Sequence, residues 1–227
     1  GIPLTHVKVV PDLYTAQAFI TTDLDDNQIT AFHPGAMMRS FENHVKDVPD
    51  VGFGIVGPDS YEAMLQNCRE FSESGIPFIF DPGQAMPLFN GDELKQMIEQ
   101  ATYVTVNDYE SLLMSDKTGL STAEISSRVQ GYIITRGDKG SEIHTASGML
   151  QIPAANAIRV VDPTGCGDAY RAGLIFGLMK GMDMATAGRI ASLMGALKIE
   201  HLGPQNQRFS YTQFAMQFKQ QFGYALD

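Results

Sequence analysis

From Val51 onward, short apolar runs alternate with segments of helical period, and few architectures can accept that alternation. Val51-Gly52-Phe53-Gly54-Ile55-Val56 reads as a strand, and Asp59 opens a helical segment reaching Phe71. The unit recurs as strand Phe78-Ile79-Phe80, helix Asp92 to Gln100 and strand Tyr103-Val104-Thr105-Val106. A helix from Ser121 to Val129, opening on a Ser121/Glu124 capping box, and strand Tyr132-Ile133-Ile134-Thr135 follow. Strands that are apolar on both faces and alternate with helices predict a mostly parallel sheet in a three-layer α/β/α domain. Helices then run over about Gly167 to Met179, Asp183 to Lys198 and Tyr211 to Phe222, with Gly181 and Gly203 as stops. Ahead of all this, β-prone residues from Tyr14 to Ile20 and from Gln28 to His33 flank Asp23-Leu24-Asp25-Asp26-Asn27, which predicts a β-hairpin. The expected organisation is a hairpin and its connection over 1–40, then an α/β domain over 41–227.

In open α/β sheets ligands bind beyond the carboxyl ends of the strands, so the loops after Ile55, Phe80, Val106 and Thr135 are where chemistry is expected. The densest signal lies further on, in Asp162-Pro163-Thr164-Gly165-Cys166-Gly167-Asp168, a glycine-rich turn running into an apolar helix. Glycine lets successive N–H groups converge on one point, and with the helix N-terminus they make a concavity for an anion. A carboxylate there repels phosphate but can accept a proton from an attacking hydroxyl, which makes Asp168 a candidate general base. The plain alternative is a loop formed by Gly165 and Gly167, with Asp168 as a helix cap. The turn lacks the third glycine of a dinucleotide fingerprint, and no Gly-x4-Gly-Lys-Ser/Thr string occurs in the chain, so neither a Rossmann dehydrogenase nor a P-loop NTPase is favoured.

Three further groups stand at strand ends. Asn107-Asp108-Tyr109-Glu110 places an amide and a carboxylate three residues apart, which suits a hydrated Mg²⁺ carrying phosphates or, equally, an ordinary helix start. Thr135-Arg136-Gly137-Asp138-Lys139-Gly140 allows close backbone approach to a ligand, or a hairpin into Ser141 to Thr145. Phe80-Asp81-Pro82-Gly83-Gln84 offers Asp81 and Gln84 to a substrate or to a turn.

Taken in order, Asp-Pro-Gly-Gln, Asn-x-x-Glu, Thr-x-Gly-x-x-Gly and Asp-x-Thr-Gly-x-Gly-Asp resemble the PfkB/ribokinase family of carbohydrate and nucleoside kinases, with Cys166 where Ala is usual. The resemblance implies a ribokinase-like fold in which the hairpin is a lid over the substrate. It makes Asp168 the base, places the N–H groups of Gly165, Cys166 and Gly167 around the anion, and gives Asn107 and Glu110 to Mg²⁺ and phosphate. It further implies that Thr135, Gly137 and Gly140 hold the ATP phosphates and ribose, and that the helix around Ser192 and Gly195 borders the adenine. A monovalent cation is left open as a further cofactor. Phe19-Ile20-Thr21-Thr22-Asp23 and Gln28 to Ala36 look like the bacterial adenosine kinase branch, in which Phe19 and Phe32 would stack on a nucleobase. The activity implied is ATP- and Mg²⁺-dependent transfer to the primary hydroxyl of a nucleoside, adenosine first, with a sugar as the alternative acceptor.

The family's opening strands, with an early Asp and a Gly-Gly pair that grip sugar hydroxyls, have no counterpart here, and the chain starts Gly1-Ile2-Pro3 without Met. A processed product or fragment is therefore expected, and a non-catalytic nucleotide-binding module is the reading this adds. With 227 residues, 44% hydrophobic, the chain can bury one sizeable core. A formal charge of −10 without clustered cations argues against a nucleic-acid partner. No apolar run is long enough to span a bilayer, and only Cys68 and Cys166 are present, which fits a reduced cytoplasmic compartment. The exposed edge of a hairpin lid suggests pairing with a second copy, a lid-mediated homodimer.

Overall fold

The computed structural model describes residues 3–22 and 28–226, so the expected turn over 23–27 lies outside the described residues. The chain divides into two compact units, 1–102 and 103–227.

The first unit opens with antiparallel strands β1 (Gln17–Thr22) and β2 (Gln28–His33), in register from Gln17 opposite His33 to Thr22 opposite Gln28. Gly35–Glu42 forms a 3₁₀ segment. Parallel strands β3 (Gly54–Val56) and β4 (Phe78–Phe80) flank helix α1 (Tyr61–Glu73), and α2 (Gly91–Gln100) closes the unit. β4 is wholly buried, as its unbroken apolar run requires. α1 turns Ala63, Met64 and Cys68 inward, and α2 does the same with Leu94, Met97 and Ile98 behind an Asn90/Glu93 capping box. Only Gly54–Val56 of the expected Val51–Val56 strand enters the ladder, because its partner has just three residues. Compactness does not divide at residue 40. Ser40 Oγ donates to Asp59 Oδ1 at 2.6 Å, and Gln66 Nε2 of α1 donates to Phe41 O and Asn43 O at 3.0 and 2.9 Å.

The second unit is built on β5 (Tyr103–Asn107), helices α3 (Asp108–Thr118) and α4 (Thr122–Ser126), and β6 (Gly131–Thr135), which lies parallel to β5. β6 then turns into antiparallel β7 (Ser141–Thr145), and β7 into β8 (Gly148–Ile152). Helices α5 (Cys166–Met179), α6 (Met184–Ile199) and α7 (Tyr211–Phe222) complete it. Helix α5 crosses α6 at very short range, since a Cβ on Gly173 would lie 2.8 Å from the Ala191 Cα and one on Gly177 would lie 2.7 Å from the Ala187 Cα. Ile190, Leu193 and Leu197 of α6 then pack with Phe214 and Phe218 of α7. No described helix is long and apolar enough to cross a membrane.

Candidate active site

The turn before α5 is organised by Asp162. Val161 and Asp162 donate their N–H groups to Ile199 O at 2.9 and 3.2 Å. The carboxylate accepts from Thr164 N at 2.8 Å through Oδ1 and from Gly203 N at 2.7 Å through Oδ2. Those two backbone donors, Thr164 first, hold its pKa down to about 2, helped less by Lys198. A depressed carboxylate stabilises the fold fully above its unfolded pKa and loses that contribution as pH falls through the folded value. The stability difference between wild type and Asp162→Asn should therefore be complete at pH 5 and close between about pH 4 and about pH 2, as read by denaturant titrations at each pH.

Gly165 caps α5 at φ 84°, where a Cβ would stand 2.9 Å from Pro204 Cβ, so both backbone and neighbour exclude a larger residue. The first-turn N–H groups of α5 have no acceptor within the helix, which gives the turn its capacity for an anion. The expected donor trio needs one correction. Cys166 N donates to Pro163 O at 3.1 Å, closing the turn on itself. The expected donors that remain are Gly165 and Gly167, and the same helix start adds Asp168 N.

Asp168 stands in the first turn of α5 with its side chain 83% exposed, open to a hydroxyl arriving from solvent. Arg171 Nη1 lies 3.5 Å from its Oδ1, and a Cβ on Gly167 would fall 2.6 Å from the same guanidinium nitrogen. Arg171 had no place in the expected site. Two residues after Asp168, Tyr170 OH and Ser141 Oγ share a hydrogen bond of 2.7 Å between buried residues. That bond fastens the start of α5 to the start of β7, where Ser141 pairs with Thr135, and Thr135 in turn pairs with Asn107. The motifs at the ends of β5 and β6 and at the start of α5 are thus joined through one sheet edge.

Asn107 and Glu110 form a reciprocal capping box. Glu110 N donates to Asn107 Oδ1 at 2.7 Å, and Asn107 N donates to Glu110 Oε2 at 2.8 Å. The plain reading, a helix start, is therefore realised here, with one oxygen of each side chain engaged. Thr135 to Gly140 likewise forms the hairpin turn, closed by Arg136 N donating to Gly140 O at 2.8 Å. The two glycines differ. A Cβ on Gly140 would meet Ile152 O at 2.1 Å, so the passage of backbone past β8 already requires this glycine. A Cβ on Gly137 would meet nothing within 4 Å, and that backbone faces open space.

Ser192 is engaged within its own unit. Its hydroxyl donates to Pro153 O at 2.9 Å and accepts from Ala155 N at 2.8 Å, pinning the chain after β8, so it is not presented to a ligand. Gly195 lies beside the turn, its missing Cβ 3.7 Å from Cys166 O. In the first unit, Gln84 is exposed in the 3₁₀ segment Gly83–Leu88, while Asp81 is buried. Phe19 pairs across the ribbon with Ala31, and Phe32 with Ala18. The two rings therefore occupy opposite faces, and one face cannot offer both to a base.

The profile described as pfkB family carbohydrate kinase matches residues 1–209. The chain is similar to a nucleoside kinase of Burkholderia thailandensis, 56% identical, solved in complex with inosine at TM-score 0.97 and in complex with ADP-inosine at TM-score 0.95. Each match covers 99% of this chain, and 74% and 70% of the solved chains. It is 32% identical to the nucleoside kinase of Methanocaldococcus jannaschii over 84% of its own length, and it spans 63% of that relative. The solved structure of that relative, described as an archaeal member of the ribokinase family, superposes at TM-score 0.85 over 92% of this chain and 69% of the solved one.

Proposed function

The chain belongs to the pfkB carbohydrate kinase family, with the ribokinase-like α/β fold, and from that premise we propose that it transfers the γ-phosphoryl group of ATP to the primary hydroxyl of a purine nucleoside. The observation that carries the reading is the exposed Asp168 carboxylate in the first turn of a helix whose first N–H groups have no acceptor within the helix. Asp168 takes the hydroxyl proton as the oxygen attacks phosphorus in line, and the N–H groups of Gly165, Gly167 and Asp168 receive the charge on the transferring group. Arg171, 3.5 Å from Asp168, is a second positive group near that charge. Gly137 supplies open backbone for the nucleotide phosphates, and Gly195 space beside the turn.

Mg²⁺ would neutralise the nucleotide phosphates when bound. Glu110, beside Asn107 at the carboxyl end of β5, is the residue we assign to that hydrated ion.

Adenosine is the substrate the sequence favours, and the inosine complexes of the B. thailandensis relative favour a purine pocket without requiring the adenosine amino group. The hairpin is assigned as the substrate lid, with Gln84 as a further substrate contact. Its exposed Ile20, Ile29, Phe19 and Phe32 support a lid-mediated homodimer. A coupled assay with adenosine, inosine, ribose and fructose tests the acceptor, and turnover only on the sugars would replace the nucleoside by a sugar. Because the two lid phenylalanines face opposite ways, alanine at one of them should raise the nucleoside KM about tenfold or more, and alanine at the other should leave it within about twofold. Equal effects at both positions would remove the one-face stacking.

A further inference from the structure

Lys198 has no side-chain exposure. It lies in the last turn of α6, and its ammonium is surrounded by oxygen atoms of the anion-binding turn and its support. It donates to Asp162 O at 2.6 Å and to His201 O at 3.2 Å, and stands 3.8 Å from Asp162 Oδ2. A lysine is almost never completely buried unless its charge is compensated. Here the compensation comes from two carbonyls and a carboxylate, hard oxygen donors of the kind that suit a metal cation, with the C-terminal end of α6 adding negative potential.

The placement matters because the same atoms set the shape of the turn. Asp162 receives Thr164 N and Gly203 N, and Gly165 packs on Pro204, so the stretch after α6 and the turn before α5 meet at this ammonium. Without the charge, the Asp162 and His201 carbonyls would lose this donor and the Asp162 carboxylate would keep only its two backbone N–H donors, at the base of a turn that must receive an anion.

We propose that Lys198 is a positioning residue that acts as a tethered monovalent cation, holding the Asp162 to Asp168 turn in its anion-binding form without K⁺ or Na⁺ from solution. The catalytic consequence rests on the kinase reading above, whereas the order of the turn does not. Side-chain volume separates two variants. Lys198→Ala removes the charge and opens a space that an ion can enter, while Lys198→Met removes the charge and fills the space.

The test measures amide hydrogen exchange of residues 162–168 and phosphoryl transfer to a nucleoside, in choline, sodium and potassium chloride at one ionic strength. Wild type should give the same exchange and turnover, within about twofold, in all three salts. Since breaking a buried charge pair is strongly destabilising, Lys198→Ala should show exchange at least about tenfold faster in choline and recover in potassium, and Lys198→Met should stay impaired in every salt. Wild-type exchange or turnover that depends on potassium, or a Lys198→Ala turn that is unaltered or equally disordered in choline and potassium, overturns the proposal. If neither variant folds, the wild-type salt comparison decides alone. If wild type transfers no phosphoryl group in any salt, the kinase reading fails, and the exchange data still judge the role of Lys198.

Discussion

Asp168→Asn lowers turnover by about 10²–10⁴-fold and leaves nucleotide affinity within about twofold. The amide keeps the shape and the hydrogen-bonding oxygen of the carboxylate but cannot take the proton of an attacking hydroxyl. Its position argues for the split between the two effects. The side chain is 83% exposed and stands at the helix start, so it supports no buried structure whose loss would disturb the nucleotide. Single-turnover rates with saturating nucleoside, set beside titration of an ATP analogue, check both halves. A D168N protein that still turns over within about fivefold of wild type would remove Asp168 as base, and parallel loss of nucleotide affinity would make it a binding group.

The second large effect is on stability and needs no ligand. Gly140→Ala should cost about 2–4 kcal/mol, through backbone strain and overpacking together. At φ 82° and ψ −135° the residue sits in the mirror image of the β region, which alanine reaches only under strain. The new methyl would also stand 2.1 Å from Ile152 O and 2.7 Å from Ala154 N, so the β6–β7 hairpin or the exit from β8 must move. Gly137→Ala, at φ 57° but facing open space, is the control and should cost about 1 kcal/mol. Thermal or denaturant unfolding of the pair separates clash from conformation, and equal losses would show that contact with Ile152 contributes nothing.

The strand–helix rhythm was readable because each buried strand is a short apolar run and each helix carries its own cap. The Ser121/Glu124 box and strand Phe78–Phe80 appear as expected. β8 is silent in the sequence because an edge strand with one buried residue has no apolar signature. α3 shows almost no amphipathic pattern, burying only Met114 and Thr118. Within the candidate site, the glycine-rich turn and Asp168 could be read from local spacing. The commitment of Ser192 to Pro153 and Ala155, and of Gly140 to β8, depends on residues distant in sequence that no spacing reveals. Lys198 left one trace, a lone cation within the apolar run Gly195-Ala196-Leu197-Lys198-Ile199, where a helix facing a core should have none.

Where α5 crosses α6, glycines face alanines backbone to backbone, and that contact has no slack in volume. Enlarging Gly173 or Gly177 cannot be answered by trimming Ala191 or Ala187, since the new Cβ would collide with the partner's Cα, which every residue carries. The two helices are therefore fixed at one short separation along this contact, with Asp168 in the first turn of α5 and Lys198 in the last turn of α6. Variation in this region must preserve the pair together, so its residues are expected to be inherited, and to be transplanted into another scaffold, as one block.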